Sequence, residues 1–326
     1  NFDRVEGMML GLAIGDALGI TTESMLPDSR KQKYGEIRDY LPNRYTSEAR
    51  GFPSDDSQLA YWTLEQINRD QGFTPDNVAQ RFCRERIFGI GSTVKKFLKN
   101  YKSGKLWYQA GPRSAGNGAL MRIAPMLLPH LKSATTKLWV DTALSAMMTH
   151  NDSGSTAACL SLINILWQLL ERKTPPQPEW WLNMYITVAK ELETNLYRPR
   201  GGNFTEYEGP IWKFVSEKVT QAYQEGLSVE QACNRWYSGA YLLETVPSVI
   251  YILMKHGDNL EEAMVRAVND TKDNDTIAAI VGTAVGALYG KAQIPVRWLD
   301  NLSGRTGLND DGKMLEILAE SGKLWG

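Results

Sequence analysis

Apolar residues recur at helical spacing along almost the whole chain. Residues 3–20, 57–70, 75–88, 92–103, 118–130, 136–149, 154–172, 179–196, 210–225, 228–237, 244–256, 259–270 and 276–290 each read as a helix, and a last one is expected over 310–322. No run alternates apolar and polar residues as a half-buried strand does, and no strand–helix–strand rhythm is present. The pattern therefore predicts an all-α, multi-helix fold and disfavours an α/β one. The breaks are short: Thr74-Pro75-Asp76 sets a capping residue before proline at the first helical position. Residues 173–178 hold three prolines, and Arg200-Gly201-Gly202-Asn203 is a further loop. None is long enough to separate domains, so residues 1–326 are expected to form one compact helical domain.

Two of these helices carry glycine at every fourth position: Gly7, Gly11, Gly15 and Gly19, then Gly282, Gly286 and Gly290. A glycine inside a helix costs roughly 1 kcal/mol relative to alanine. A row of them on one stripe predicts a neighbour packed close against the backbone, by analogy with small-residue helix pairs. Approach of a ligand at the helix ends is the other reading.

Composition narrows the class. Hydrophobic residues make up 43% of the 326 and charged residues 22%, which is enough to bury a large core. The formal net charge of −1 gives no overall attraction to nucleic acid or an anionic membrane, and neither is expected as a partner. Cys83, Cys159 and Cys233 are far apart and lack any CxxC spacing. A disulfide framework is therefore not expected, and a reducing cytoplasm fits. Structural zinc is not expected either. Residues 1–20 carry Asp3, Arg4, Glu6 and Asp16 and do not read as a secretory leader. No run reads as a membrane span, which takes about 18–20 apolar residues. Oligomeric state leaves no mark on the sequence.

The chemistry lies in acids placed at helix starts. Ser54-Asp55-Asp56-Ser57 precedes the apolar run that begins at Leu59, and Asp273-Asn274-Asp275-Thr276 precedes Ile277-Ala278-Ala279-Ile280. One such cluster is explained by capping, because Ser and Asp satisfy the free N–H groups of a helix start. Two clusters ask for more. A helix N-terminus carries about half a positive charge, so four acids brought together would repel one another unless cations neutralised them. Hard oxygen ligands of this kind suit Mg²⁺, Mn²⁺ or Ca²⁺ rather than zinc. Glu23, after the first glycine-striped helix, reads by itself as a solvated loop residue. Two glycine-bearing loops, Gly89-Ile90-Gly91-Ser92 and Gly116-Asn117-Gly118, precede helical runs and expose N–H groups of the kind that bind phosphate; plain helix-start loops explain them as well. His150 can hydrogen-bond either a ligand or a neighbouring helix. No EF-hand, Walker A, GxSxG or HExxH pattern is present.

Taken in order, these motifs resemble the ADP-ribosylglycohydrolase family. The resemblance runs from Gly7 to about Gly290. It rests on the GLAIGDALG stretch from Gly11 to Gly19 with its trailing Glu23, the Ser-Asp-Asp-Ser cluster, GNGALMR from Gly116 to Arg122, Thr149-His150, and the Asp-Asn-Asp-Thr cluster. It implies an all-α fold around two divalent cations, Mg²⁺ or Mn²⁺, with Ser54, Asp55, Asp56, Asp273, Asp275 and Thr276 as ligands. Family members usually carry threonine where this chain has Ser54. It further implies catalytic parts for Glu23, Asp56 and Asp275, and an ADP-ribose cleft lined by Gly89, Gly91, Ser92, Gly116, Asn117, Gly118 and His150. The implied activity is hydrolysis of the bond between ADP-ribose and a modified acceptor, a protein or a small-molecule conjugate. Relatives that act on arginine often place an acid just before the Ile-Gly of the first loop, and this chain has Gly89 there, which leaves serine, a nucleotide base or a small molecule as alternative acceptors. A non-catalytic ADP-ribose-binding protein and a two-metal phosphohydrolase are the readings of other kinds.

Overall fold

The helical periodicity is borne out over most of its length in the computed structural model, which describes residues 2–43 and 47–326. In chain order the helices are α1 (Phe2–Gly19), α2 (Pro27–Tyr34), α3 (Asp55–Asp70), α4 (Pro75–Arg84), α5 (Ser92–Lys102), α6 (Trp107–Ala110), α7 (Thr136–Thr149) and α8 (Ser153–Glu171). They continue as α9 (Pro178–Leu192), α10 (Ile211–Gln224), α11 (Val229–Trp236), α12 (Leu242–His256), α13 (Leu260–Asp270), α14 (Asn274–Tyr289), α15 (Val296–Asp300) and α16 (Lys313–Trp325). Among the described residues, strand pairing is limited to isolated bridges: Gly51 with Leu302, Gly116 with Tyr241, and Tyr197 with Gly209. The fold is all-α.

Two helices lie at the centre. From Gly7 to Gly19 every residue of α1 is buried, and so is every residue of α14 from Asn274 to Leu288. Helices that are apolar on all sides belong in a core, and α3, α8, α12 and α13 pack around this pair. The glycine rows explain its closeness. A Cβ on Gly11 would stand 2.1 Å from the carbonyl oxygen of Gly282, and one on Gly19 would stand 2.4 Å from the Cα of Asp275. Backbone therefore meets backbone, with α1 and α14 antiparallel, and the C-terminal end of α1 lies beside the N-terminal end of α14. The close-packing reading of the glycine rows is the one the structure bears out.

Several elements differ from the sequence expectation. Residues 118–130 do not form an α-helix. They make two 3₁₀ turns, Leu120–Arg122 and Ala124–His130, the second with Pro125 and Pro129 inside it. Proline lacks the N–H that an α-helix needs there. Helix α4 stops at Arg84 rather than running to 88, because Gln58 of α3 captures the chain beyond it. The Gln58 side chain donates to the Arg86 carbonyl at 3.1 Å and accepts from the Phe88 N–H at 2.8 Å. The short helices α2, α6 and α15 had no periodic signal.

The expectation that no run could span a membrane also needs correction. Phe2–Thr22 and Ser153–Glu171 are long and apolar enough by length and composition, but most of each is buried among other helices. Their hydropathy is that of core helices.

Because alanine favours a helix over glycine, Gly11→Ala would stabilise an unencumbered α1. Here it is expected to destabilise by about 1–3 kcal/mol, the scale of overpacking, as measured by chemical denaturation. Gly72→Ala, where nothing stands within 4 Å of the added carbon, is the control. A Gly11→Ala protein as stable as the parent would refute the close contact.

Candidate metal centre

The end of the α1–α14 contact is where the acids gather. Asp16 sits one turn before the C-terminus of α1 and is completely buried. Its Oδ2 accepts from the backbone N–H of Ser54 at 2.9 Å, from that of Ser57 at 3.1 Å, and from the Ser57 hydroxyl at 2.5 Å. Asp16 thus satisfies the N-terminal turn of α3 from another helix, a position where negative charge is favoured. Ser54 caps the same turn locally, accepting from the Asp56 N–H at 3.2 Å, and its hydroxyl donates to Asp56 Oδ2 at 3.0 Å. Helix α3 begins at Asp55, so Asp55 and Asp56 fall inside its first turn rather than ahead of it.

Both predicted clusters meet at this point. Asp16, Asp56 and Asp275 each offer a carboxylate oxygen within 4.8 Å of the others, and so do Glu23, Asp273 and Asp275. The two groups share Asp275. The Oδ1 atoms of Asp16, Asp56 and Asp275 are buried and have no hydrogen-bond partner. The Thr276 hydroxyl donates to Asp56 Oδ2 at 3.3 Å, joining the start of α14 to that of α3. Asn117 donates to Asp273 Oδ2 at 2.6 Å and to the Thr245 hydroxyl at 3.0 Å.

Burial acts on every one of these carboxyls, and repulsion between them adds to it for all but Asp16. Burial, then the charge of Asp16, holds Asp55 and Asp56 well above the usual carboxylate range. Burial followed by Asp273 and Asp56 does the same to Asp275. Burial raises Asp16 and lifts Asp273 to about 6, while burial together with Asp16 raises Glu23. Such a group needs protons or cations to persist. Its donors are all hard oxygens, with no cysteine or histidine in either group, which fits Mg²⁺, Mn²⁺ or Ca²⁺ chemistry.

The remaining sequence candidates form the rim. Asp55 lies outside both groups and turns to the first glycine loop, accepting from the Gly91 N–H at 3.3 Å. Gly89 takes a left-handed φ of 61° beside it. Gly91 and Ser92 open α5, and the next residue, Thr93, bonds the Ser114 hydroxyl at 3.0 Å, tying the two glycine loops together. The His150 ring packs on Gly116 and Gly118. The expectation that both loops offer free N–H groups is met only in part. The Gly91 N–H is held by Asp55, that of Gly116 by the Ser114 hydroxyl, and that of Asn117 by the Ala240 carbonyl. Asp16 went unrecognised in the sequence. The signal it gave was a lone acid inside an otherwise apolar stretch of α1.

Comparison with known proteins places the chain in a family. The sequence profile of the ADP-ribosylglycohydrolases matches residues 1–325. The chain belongs to the ADP-ribosylglycohydrolase family. It is 26% identical to the ADP-ribosyl-dinitrogen reductase glycohydrolase of Rhodospirillum rubrum, across 92% of this chain and 90% of that one. It is 25% identical to an ADP-ribosylarginine hydrolase of Pseudomonas putida, across 92% of this chain and 74% of the relative. A solved structure described as an ADP-ribosylglycohydrolase-related protein complex superposes with a TM-score of 0.74 at 26% identity, covering 99% of this chain and 97% of its own.

The raised carboxyls give the cation-free protein a pH dependence of definite sign. The folded chain holds protons that the unfolded chain has lost. The corresponding stability is complete below the ordinary carboxylate value near 4 and is lost as pH rises through the folded values, Asp273 near 6 among them. A shift of that size is worth on the order of 3 kcal/mol. Denaturation in chelator is therefore expected to become easier from pH 5 to pH 8, and Mg²⁺ or Mn²⁺ is expected to reverse the trend. Equal stability at both values in chelator would contradict the crowding.

Proposed function

We propose that this protein hydrolyses the glycosidic bond between ADP-ribose and an acceptor, with two divalent cations, Mg²⁺ or Mn²⁺, shared between its two acid groups. The observation that carries this reading is the pair of carboxylate groups meeting at Asp275, with the buried Oδ1 atoms of Asp16, Asp56 and Asp275 unpartnered. Asp16, Asp56 and Asp275 would hold one cation, and Glu23, Asp273 and Asp275 the other. Ser54 and Thr276 hold Asp56 in place, and Asp55 orients the first glycine loop. When bound, the cations supply positive charge that balances the carboxylates, orients sugar hydroxyls and makes a water more acidic.

The chain's own residues supply the proton handling and the fit. Glu23 alone among the carboxylates of the two groups is exposed, so it is open to solvent and to an incoming substrate. We assign it the proton of the attacking water. The water oxygen bonds to the anomeric carbon as the bond to the acceptor breaks, through an oxocarbenium-like transition state. The acceptor leaves with a proton returned to it. Asp56 and Asp275, enclosed and already engaged, keep the electrostatic part and steady the positive charge on the sugar. Asn117, His150 and the two glycine loops form the wall against which the ADP-ribosyl group lies, and holding it fixes the anomeric carbon against the water.

Arginine is the favoured acceptor, because the Pseudomonas putida relative is named for ADP-ribosylarginine. Gly89 weighs against it, since residue 89 itself supplies no carboxylate to meet a guanidinium and leaves Asp55 as the acid beside it. A cytoplasmic setting belongs to the same proposal, supported by Cys83, Cys159 and Cys233 being free thiols.

Mass-spectrometric product analysis across arginine-, serine- and nucleotide-linked ADP-ribose tests the reading. Release of free ADP-ribose from at least one linkage is expected, chelator should stop it, and Mg²⁺ or Mn²⁺ should restore it. Asp275→Ala and Asp16→Asn should each lower turnover by roughly 10²–10³-fold or more, the scale of losing one group that stabilises transition-state charge. Undiminished activity in Asp275→Ala, or indifference to chelator, would reject the proposal.

A further inference from the structure

Arg122 closes the GNGALMR segment, and its side chain is fully enclosed with no carboxylate paired to it among the described residues. Its Nη1 donates to the Ser145 hydroxyl at 3.0 Å. Its Nη2 donates to the Ser145 carbonyl at 2.7 Å and to the Thr149 hydroxyl at 2.8 Å. The guanidinium also stands 5.5 Å from the centre of the Phe82 ring. Burial pulls its pKa down to about 10, which leaves it charged at neutral pH. A buried cation without a counter-charge is costly, and packing alone is served as well by an apolar side chain. The cation therefore invites a second explanation.

That explanation lies one residue beyond its last contact. The Thr149 hydroxyl has one proton to give and two lone pairs. Arg122 takes one lone pair. His150 Nδ1 stands 2.9 Å away on the other side, and among the described residues the hydroxyl has no third partner. Were Nδ1 to carry a proton and donate to Thr149, the hydroxyl proton would be buried with no acceptor, which is expensive. The arrangement of lower energy has Thr149 donating to Nδ1, so the ring proton sits on Nε2. Burial, with the nearby charge of Arg122, also holds the His150 pKa down to about 3, so the ring stays neutral. The Nε2 edge faces the glycine loop: a Cβ on Gly118 would stand 3.1 Å from Nε2, and one on Gly116 3.5 Å. Glycine at both positions keeps loop side chains off that edge of an otherwise enclosed ring. Between them, Asn117 holds Asp273.

We propose that Arg122 and Thr149 are positioning residues whose hydrogen-bond relay locks His150 as a neutral ring with its proton on Nε2. His150 then serves as a fixed donor to a phosphate or ribose oxygen of the bound ADP-ribosyl group, and not as an acid. The identity of that oxygen's owner rests on the function proposed above; the locked tautomer does not.

Long-range proton–nitrogen correlation spectra of protein labelled with ¹⁵N-histidine read the tautomer directly. His150→Gln identifies the His150 signals among those of the three histidines. The wild type should show an unprotonated Nδ1 and a protonated Nε2 at His150. Thr149→Val keeps the shape and removes the hydroxyl. It is expected to release the tautomer into a mixture and to raise the dissociation constant for ADP-ribose about tenfold, roughly 1.4 kcal/mol, by calorimetry. Thr149→Ser should keep both properties of the wild type. Arg122→Met should release the tautomer as Thr149→Val does, and the valine and serine variants decide the matter if it fails to fold. A wild-type His150 protonated on Nδ1, or a Thr149→Val protein unchanged in tautomer, overturns the relay. If the tautomer behaves as expected while the wild type does not bind ADP-ribose, the relay stands and the ADP-ribosyl reading falls.

Discussion

Two helices of this protein touch through their backbones, and the acid centre exists because of it. Contact between α1 and α14 leaves no room for side chains along the shared stripe, so glycine fixes both their separation and their register. The last glycine of the row, Gly19, lies against the Cα of Asp275. Asp16, less than one turn earlier on α1, is thereby set beside the first turn of α14. Asp16 then draws in the third participant by binding the N–H groups of Ser54 and Ser57 at the start of α3. A helix pair held apart by ordinary side chains would sit 8–10 Å between axes and would part the carboxylates that here come together.

The electrostatic arithmetic of the centre is unbalanced by protein alone. The N-termini of α3 and α14 both point into it, each worth about half a positive charge, or about one together. Against them stand the carboxyls of Asp16, Glu23, Asp55, Asp56, Asp273 and Asp275. Hydrogen bonds from Asn117, Ser54, Ser57 and Thr276 ease individual oxygens but add no net charge. Two dications would bring the sum close to neutral, where one would leave a large excess of negative charge. The count of charges, more than any single distance, is what favours a dinuclear site.

Much of this was legible in the sequence, and what escaped has identifiable causes. The helix end at Thr149 and, to within one residue, those at Gly19 and Lys102, together with the glycine rows and the acids before Leu59 and Ile277, are local signals and could be read locally. The run from Gly118 to His130 misled because its apolar residues suggest a helix while Pro125 and Pro129 prevent one. The extension of α4 misled because its end is decided by Gln58, a residue of another helix. Asp16 was hidden by its surroundings: within α1 it looks like an interruption of an apolar helix, and its purpose appears only when α3 arrives. The link from Arg122 to Thr149 joins residues 27 apart, which no periodicity reports.

Asp275 belongs to both acid groups at once, and under the two-cation proposal this sharing would make the two positions unequal in time. Whichever cation arrived first would meet the full negative field and claim part of the common carboxylate. The latecomer would find a weaker field and a ligand already engaged, so it would be held more loosely. Loading would then proceed in steps, with a half-filled form accumulating when dications are scarce, and supply of the second ion would throttle the enzyme through one aspartate.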